Sequence, residues 1–241
     1  MDVDLERLAE RLISDSPAFH SVDGRQVSSA LAPSALLHLA RVLAPGQSTL
    51  ETGCGASTVI FAAAGTDHTV VSPDPEEHRR IGQYCSEIGV DAGGVRFLEE
   101  TSASALPAME REEPLDLVLV DGAHAFPHPI LDWHYLERRL RTGGTLVLDD
   151  IPIPSVKILF AHLRDAPDWQ VERVLDDRTA VIRKTAAVQP GDDWASQAIN
   201  RGYPDYSFLA PRRRFALAAR VRWYRAVDKV VPVLRRLLPR R

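Results

Sequence analysis

Leu50-Glu51-Thr52-Gly53-Cys54-Gly55-Ala56-Ser57-Thr58 is the stretch that decides the fold of this chain. A short strand-like run, Ser48–Thr52, ends in two glycines one residue apart, and Ser57–Ala64 then reads as a helix. Glycine in such a turn lets the backbone approach a ligand closely, and the helix behind it presents free amides. The dinucleotide fingerprint wants Gly or Ala three places after the second glycine. That place holds Thr58, so the nicotinamide fingerprint fails.

Outward from this turn, short apolar runs alternate with helical patterns. Strands are expected at Thr69–Ser72, Val95–Leu98, Leu115–Val120 and Thr145–Leu148, with helices over about 75–88, 129–140 and 154–164. Gln170–Leu175 and Thr179–Lys184 flank Asp176-Asp177-Arg178 as a hairpin that should add an antiparallel edge. Alternation with short connections implies parallel strands joined by right-handed crossovers. Runs such as LVLV are apolar on both faces, as strands covered on both sides should be. The expected fold is α/β: a Rossmann-like, doubly wound, mostly parallel seven-stranded sheet with an antiparallel C-terminal hairpin. Upstream, residues 2–14 and 33–44 have helical spacing, and SPAFHSVDGRQVSS between them reads as a loop. The division is 1–44 as N-terminal helices and substrate-side cap, 45–185 as core, and 186–241 as connector and tail.

An acid two residues before the first glycine, with Ser-Thr opening the helix, resembles motif I of the class I S-adenosylmethionine (SAM) dependent methyltransferases. The resemblance implies that Gly53 and Gly55 let the methionine and ribose portions of SAM lie on the backbone. It places Glu51 near the methionine amino group, with Cys54, Ser57 and Thr58 in the same cofactor-binding turn. Cys54 itself reads as a small packing residue. Asp74 follows the second strand and could receive the ribose hydroxyls, or it could simply cap a helix in SPDPEEH. Thr101 and Ser102 stand where the family contacts adenine, and Asp121-Gly122 also belongs to the cofactor rim.

Two further strands end in acids: LVLV-Asp121-Gly122-Ala123-His124 and LVL-Asp149-Asp150. Strand ends of this kind form the ligand-binding rim of open α/β sheets. Three carboxylates in one cleft repel unless protonated or bridged by a cation. An oxygen-only set at Asp121, Asp149 and Asp150 suits Mg²⁺, Mn²⁺ or Ca²⁺ rather than zinc, and a capped turn without metal is the alternative. The arrangement resembles the metal-dependent O-methyltransferases of the catechol type and their antibiotic-tailoring relatives. In that picture the ion and Asp121 position an acceptor hydroxyl, and His124 is the candidate base, with His128 and His134 nearby in sequence.

The bulk properties narrow the class. Two cysteines, Cys54 and Cys85, argue against a disulfide scaffold or zinc cluster and fit a cytoplasmic setting. The acidic N-terminus is unlike a signal peptide, and no apolar run approaches a membrane span. Residues 211–241 hold eleven Lys/Arg and one acid, Asp228, although the whole chain carries a net −4. So acidic a body does not suit nucleic acid. The tail, with Phe215, Ala219, Trp223, Val227 and Val230 on one helical stripe, suits either peripheral contact with an anionic membrane or packing on the core or a partner subunit, as in a homo-oligomer. The expected activity is SAM-dependent O-methylation of a small-molecule acceptor. The alternatives are a NAD(P)-binding oxidoreductase and a non-catalytic SAM-fold module tethered by its tail.

Overall fold

The computed structural model describes residues 3–28, 31–109, 114–187, 197–200, 207, 210–217, 219–220 and 222–223. The chain divides into two compact units, Met1–Pro190 and Gly191–Arg241. In the second unit residues 211–217 are helical, and Phe215 and Trp223 are exposed. Val227 and Val230 of the expected stripe lie outside the described residues. No helix among the described residues is long and apolar enough to cross a membrane.

The first unit opens with α1 (Leu5–Asp15), then β1 (His20–Val22) and β2 (Arg25–Val27). These two strands pair antiparallel where a loop was expected. Asp23-Gly24 makes the turn, with both residues at positive φ, which is the backbone that a two-residue hairpin requires. Next come α2 (Pro33–Val42), β3 (Ser48–Thr52), α3 (Ala56–Ala63), β4 (Asp67–Val71), α4 (Pro75–Ile88) and β5 (Val95–Leu98). The rest is α5 (Ser102–Ala108), β6 (Leu115–Val120), α6 (His128–Leu136), β7 (Leu140–Leu148), α7 (Pro154–Asp165), β8 (Trp169–Leu175) and β9 (Thr179–Lys184).

The main sheet has seven strands in the order β5-β4-β3-β6-β7-β9-β8. Strand β9 runs antiparallel to both neighbours, and the other pairs are parallel. The expected antiparallel C-terminal hairpin closes this end of the sheet. Strand β8 forms the edge, and β9 turns back into the gap between it and β7.

Alternation along the strands builds two cores, one on each face. Leu117, Leu119 and Val147 join one face with Leu36 and Leu39 of α2, Phe61 of α3 and Ile81 of α4. Val118, Val120, Leu146 and Leu148 join the other with Leu106 of α5, Leu136 of α6 and Leu159 of α7. The period of two sends successive side chains to opposite layers, so LVLV feeds both. Winding proceeds from β3 through β4 to β5, then returns to place β6 on the other side of β3. A crevice opens at the carboxyl ends of strands where winding reverses.

Candidate functional site

A cleft of about 770 Å³ occupies that crevice, within the range of small-ligand sites. Its floor is the end of β3 and the glycine turn. Gly53 has φ +84, and a Cβ there would lie 2.3 Å from the backbone oxygen of Asp121. Glycine is therefore required twice, by conformation and by the close approach of the β6 end. Gly53 and Cys54 line the cleft; Gly55 is not among the lining residues and is the N-cap of α3.

Glu51, Ser57 and Thr58 sit beneath the turn rather than in the cleft. Glu51 is 1% exposed. Its carboxylate accepts from Ser57 Oγ at 2.7 Å and from Thr58 Oγ1, with His68 Nε2 at 3.2 Å. Thr58 Oγ1 also accepts the Gly55 N–H at 3.0 Å. The residue that breaks the dinucleotide fingerprint thus ties the turn to its buried acid. Glu51, Ser57 and Thr58 do not line the cleft, and their polar atoms bond to one another and to the turn. Burial pushes the Cys54 thiol up, so it is no nucleophile at neutral pH.

Asp74 takes the capping role. It is the N-cap of α4 and accepts from the Glu76 N–H at 2.9 Å, and it does not line the cleft. Glu77, three residues on, does line it. Helical side chains lean towards the N-terminus, so the third helical residue reaches back over the cap. Glu77 Oε1 lies 2.9 Å from His20 Nδ1 on β1, and Oε2 accepts from Cys54 Sγ at 3.3 Å. Burial opposes its ionisation, but the hydrogen bond and charge of His20 outweigh that and hold its carboxyl below the usual value. The sequence did contain a signal for Glu77: an acid one helical turn inside a capped N-terminus. Thr101 and Ser102 line the cleft as expected positions, beside Thr52.

On the opposite rim, Asp121, Gly122, His124, His128 and Asp150 all line the cleft. His134 is not among the lining residues. His124 Nε2 lies 3.1 Å from Asp150 Oδ2 and 3.8 Å from Asp121 Oδ1. Burial, then the charges of Asp149 and Asp150, push the Asp121 carboxyl well up, with Arg178 opposing. Asp150 has φ +55, a left-handed backbone costing about 1 kcal/mol.

Asp149 does not line the cleft. It is 0% exposed and accepts from Thr179 Oγ1 and from Arg178 Nη2 at 2.8 Å. Arg178 Nε also lies 2.6 Å from Asp150 Oδ1, and Arg178 lines the cleft. The expected oxygen-only trio of Asp121, Asp149 and Asp150 is therefore not assembled. Asp149 is an internal anchor, and a guanidinium spans it and Asp150. Among the described residues, the ligand-type atoms that converge within 4.8 Å of one another belong to Asp121, His124 and Asp150.

Residues 50–151 match a family described as "Methyltransferase domain". Among solved structures, the chain is similar to the O-methyltransferase TomG from Streptomyces achromogenes, a protein involved in tomaymycin synthesis and solved in complex with SAM. Identity is 19% and the TM-score 0.56, over 77% of this chain and 91% of TomG. It is also similar to cofactor-bound Rv0187 from MTB, at 16% identity and a TM-score of 0.57, over 74% of this chain and 89% of that one. These two likenesses share the fold. No curated protein matches the sequence. The glycine turn and the cleft-lining acids Asp121 and Asp150 all fall within residues 50–151, the stretch that matches that methyltransferase-domain model.

Proposed function

We propose that this domain methylates an oxygen of a small-molecule acceptor held against the β6–β7 rim, with His124 as general base. The observation that carries this reading is His124 itself. Its imidazole faces the same cleft as the Gly53 turn, with Asp150 3.1 Å from Nε2. Gly53, which leaves room for backbone contact, and Glu77, a carboxylate able to accept from a ribose diol, supply the fit to SAM. Bound SAM supplies a methyl group on a cationic sulfur, which leaves as a neutral thioether.

The rest of the chemistry falls to the chain. A hydroxyl becomes a competent nucleophile only as it loses its proton. Asp150 fixes the tautomer with hydrogen on Nε2, which leaves Nδ1 of His124 as the basic atom. The acceptor proton passes to Nδ1 as the new C–O bond forms, and water later removes it. Buried walls exclude water from the methyl donor. TomG is an O-methyltransferase, and its fold likeness supports the choice of oxygen.

The test pairs calorimetry with turnover. S-adenosylhomocysteine should bind, and NAD⁺ should give no heat. A panel of hydroxylated small molecules, incubated with methyl-labelled SAM, should yield a methylated product. His124→Gln should cut that turnover by roughly 10²–10⁴-fold while S-adenosylhomocysteine affinity stays within about twofold. Turnover untouched by His124→Gln would remove the base assignment.

A further inference from the structure

Arg178 is the one Arg or Lys among the described residues that line the cleft. Nothing in the function proposed above requires it, yet its placement is fixed from several directions. It sits in the β8–β9 turn, where Asp176 and Asp177 both take positive φ. Asp176 clamps the start of α2, accepting from the Ser34 N–H at 2.9 Å and from Ser34 Oγ at 2.7 Å. The Arg178 N–H donates to Leu175 O, and its own carbonyl accepts from the Ile151 N–H, both at 3.0 Å. The next residue, Thr179, donates to Asp149. The guanidinium then meets Asp149 Oδ2 at 2.8 Å and Asp150 Oδ1 at 2.6 Å.

We infer that Arg178 is the resident cation of the β6–β7 rim, standing in the place a divalent ion would take and keeping such ions out. A guanidinium is permanently charged, and its planar fork suits two carboxylates at once. Asp149, fully buried, presents no cleft-facing oxygen to an ion. An ion bound instead by Asp121, His124 and Asp150 would share Asp150 with Arg178, and so stand within a few ångströms of a like charge. In this reading Arg178 is a positioning residue. It orients Asp150, which in turn holds His124. With no ion to chelate, the acceptor needs no second oxygen beside the one methylated. A molecule with a single isolated hydroxyl qualifies.

This inference rests on the proposed function only for where the acceptor sits, and its test reads metal binding rather than turnover. Mn²⁺ is titrated into the metal-stripped full chain and followed by the electron spin resonance of the free ion. S-adenosylhomocysteine affinity is measured alongside as the check on the cofactor site. The unaltered chain should leave Mn²⁺ free at 100 µM, roughly the level at which weak carboxylate sites begin to fill. Arg178→Gln should gain Mn²⁺ affinity at least tenfold, and Arg178→Lys, which keeps the charge, should not. Tight Mn²⁺ binding by the unaltered chain overturns the inference, and so does a folded Arg178→Gln that gains nothing. If Arg178→Gln does not fold, the unaltered chain decides. The Nε–H resonance of Arg178, absent in Arg178→Lys, should keep its linewidth when Mn²⁺ is added, and selective broadening would overturn the inference. Loss of S-adenosylhomocysteine binding would instead count against the cofactor reading.

Discussion

Glu51 is the penultimate residue of β3, and Asp121 follows the end of β6, the strand paired directly with β3. Both are acids at the mouth of one sheet, and they live in opposite surroundings. Glu51 is enclosed by Ser57, Thr58 and His68, with a donor for each oxygen. Asp121 lies among like charges, with Asp149 and Asp150 beside it and Arg178 as the counterweight. A buried carboxylate ringed by donors is a structural part, whereas one among other carboxylates stores unfavourable energy that a ligand or proton can release. Sequence position does not distinguish the two. The inventory of neighbouring donors does.

The largest expected effect strikes the joint between the two rims. Gly53→Ala would place a Cβ 2.3 Å from Asp121 O at a backbone φ of +84. Overpacking and the left-handed penalty together should cost about 3 kcal/mol, a fall in Tm of roughly 10 °C. S-adenosylhomocysteine affinity should fall with it, by at least tenfold. A variant that melts and binds normally would show that the turn does not lean on β6.

Conservative amides should then separate the rims by sign. Glu51→Gln puts an NH₂ among groups that already donate, so about 2 kcal/mol should be lost. Differential scanning fluorimetry at pH 7.5 is sufficient to read this. If Glu51→Gln is neutral, the hydroxyls of Ser57 and Thr58 have other partners available and the structural reading of Glu51 fails.

The ribose side offers a smaller contrast of the same kind. Glu77→Gln should weaken S-adenosylhomocysteine binding by about tenfold and leave Tm nearly unchanged. Asp74→Asn keeps a capping oxygen, and Asp74→Ala should lose about 1 kcal/mol of helix stability without changing affinity. Reversed outcomes in calorimetry would return the ribose contact to Asp74.

These contrasts mark what could and could not be read from residues alone. The glycine turn, the seven strands and the strand-end acids at 121, 149 and 150 announce themselves through period and punctuation, which are local properties. The β1–β2 hairpin was equally local, signalled by Asp23-Gly24, but its strands are only three residues long and the surrounding polar stretch masks them. Arg178 was not legible, because its importance depends on β9 inserting between β7 and β8 and carrying the turn back to the Asp149-Asp150 corner. The split between those two adjacent acids was hidden for a related reason. Asp150 reaches the cleft and Asp149 stays buried in the wall, a difference that two adjacent identical residues do not announce.

Asp121 provides the gentlest test of the comparison. Its carboxyl is held well above the ordinary carboxylate value in the folded chain. The folded state therefore keeps a proton that the unfolded state has released. Stability from this group must fall as pH rises from the ordinary carboxylate range through the raised folded value. Asp121→Asn removes that slope. At pH 5 the variant and the parent should melt closely together. By pH 8 the variant should be the more stable by about 1 kcal/mol, or roughly 3 °C. The change runs opposite in sign to that of Glu51→Gln on the paired strand. Should Asp121→Asn instead lower Tm at pH 8, Asp121 would be a satisfied carboxylate like Glu51, and the distinction between the two rims would vanish.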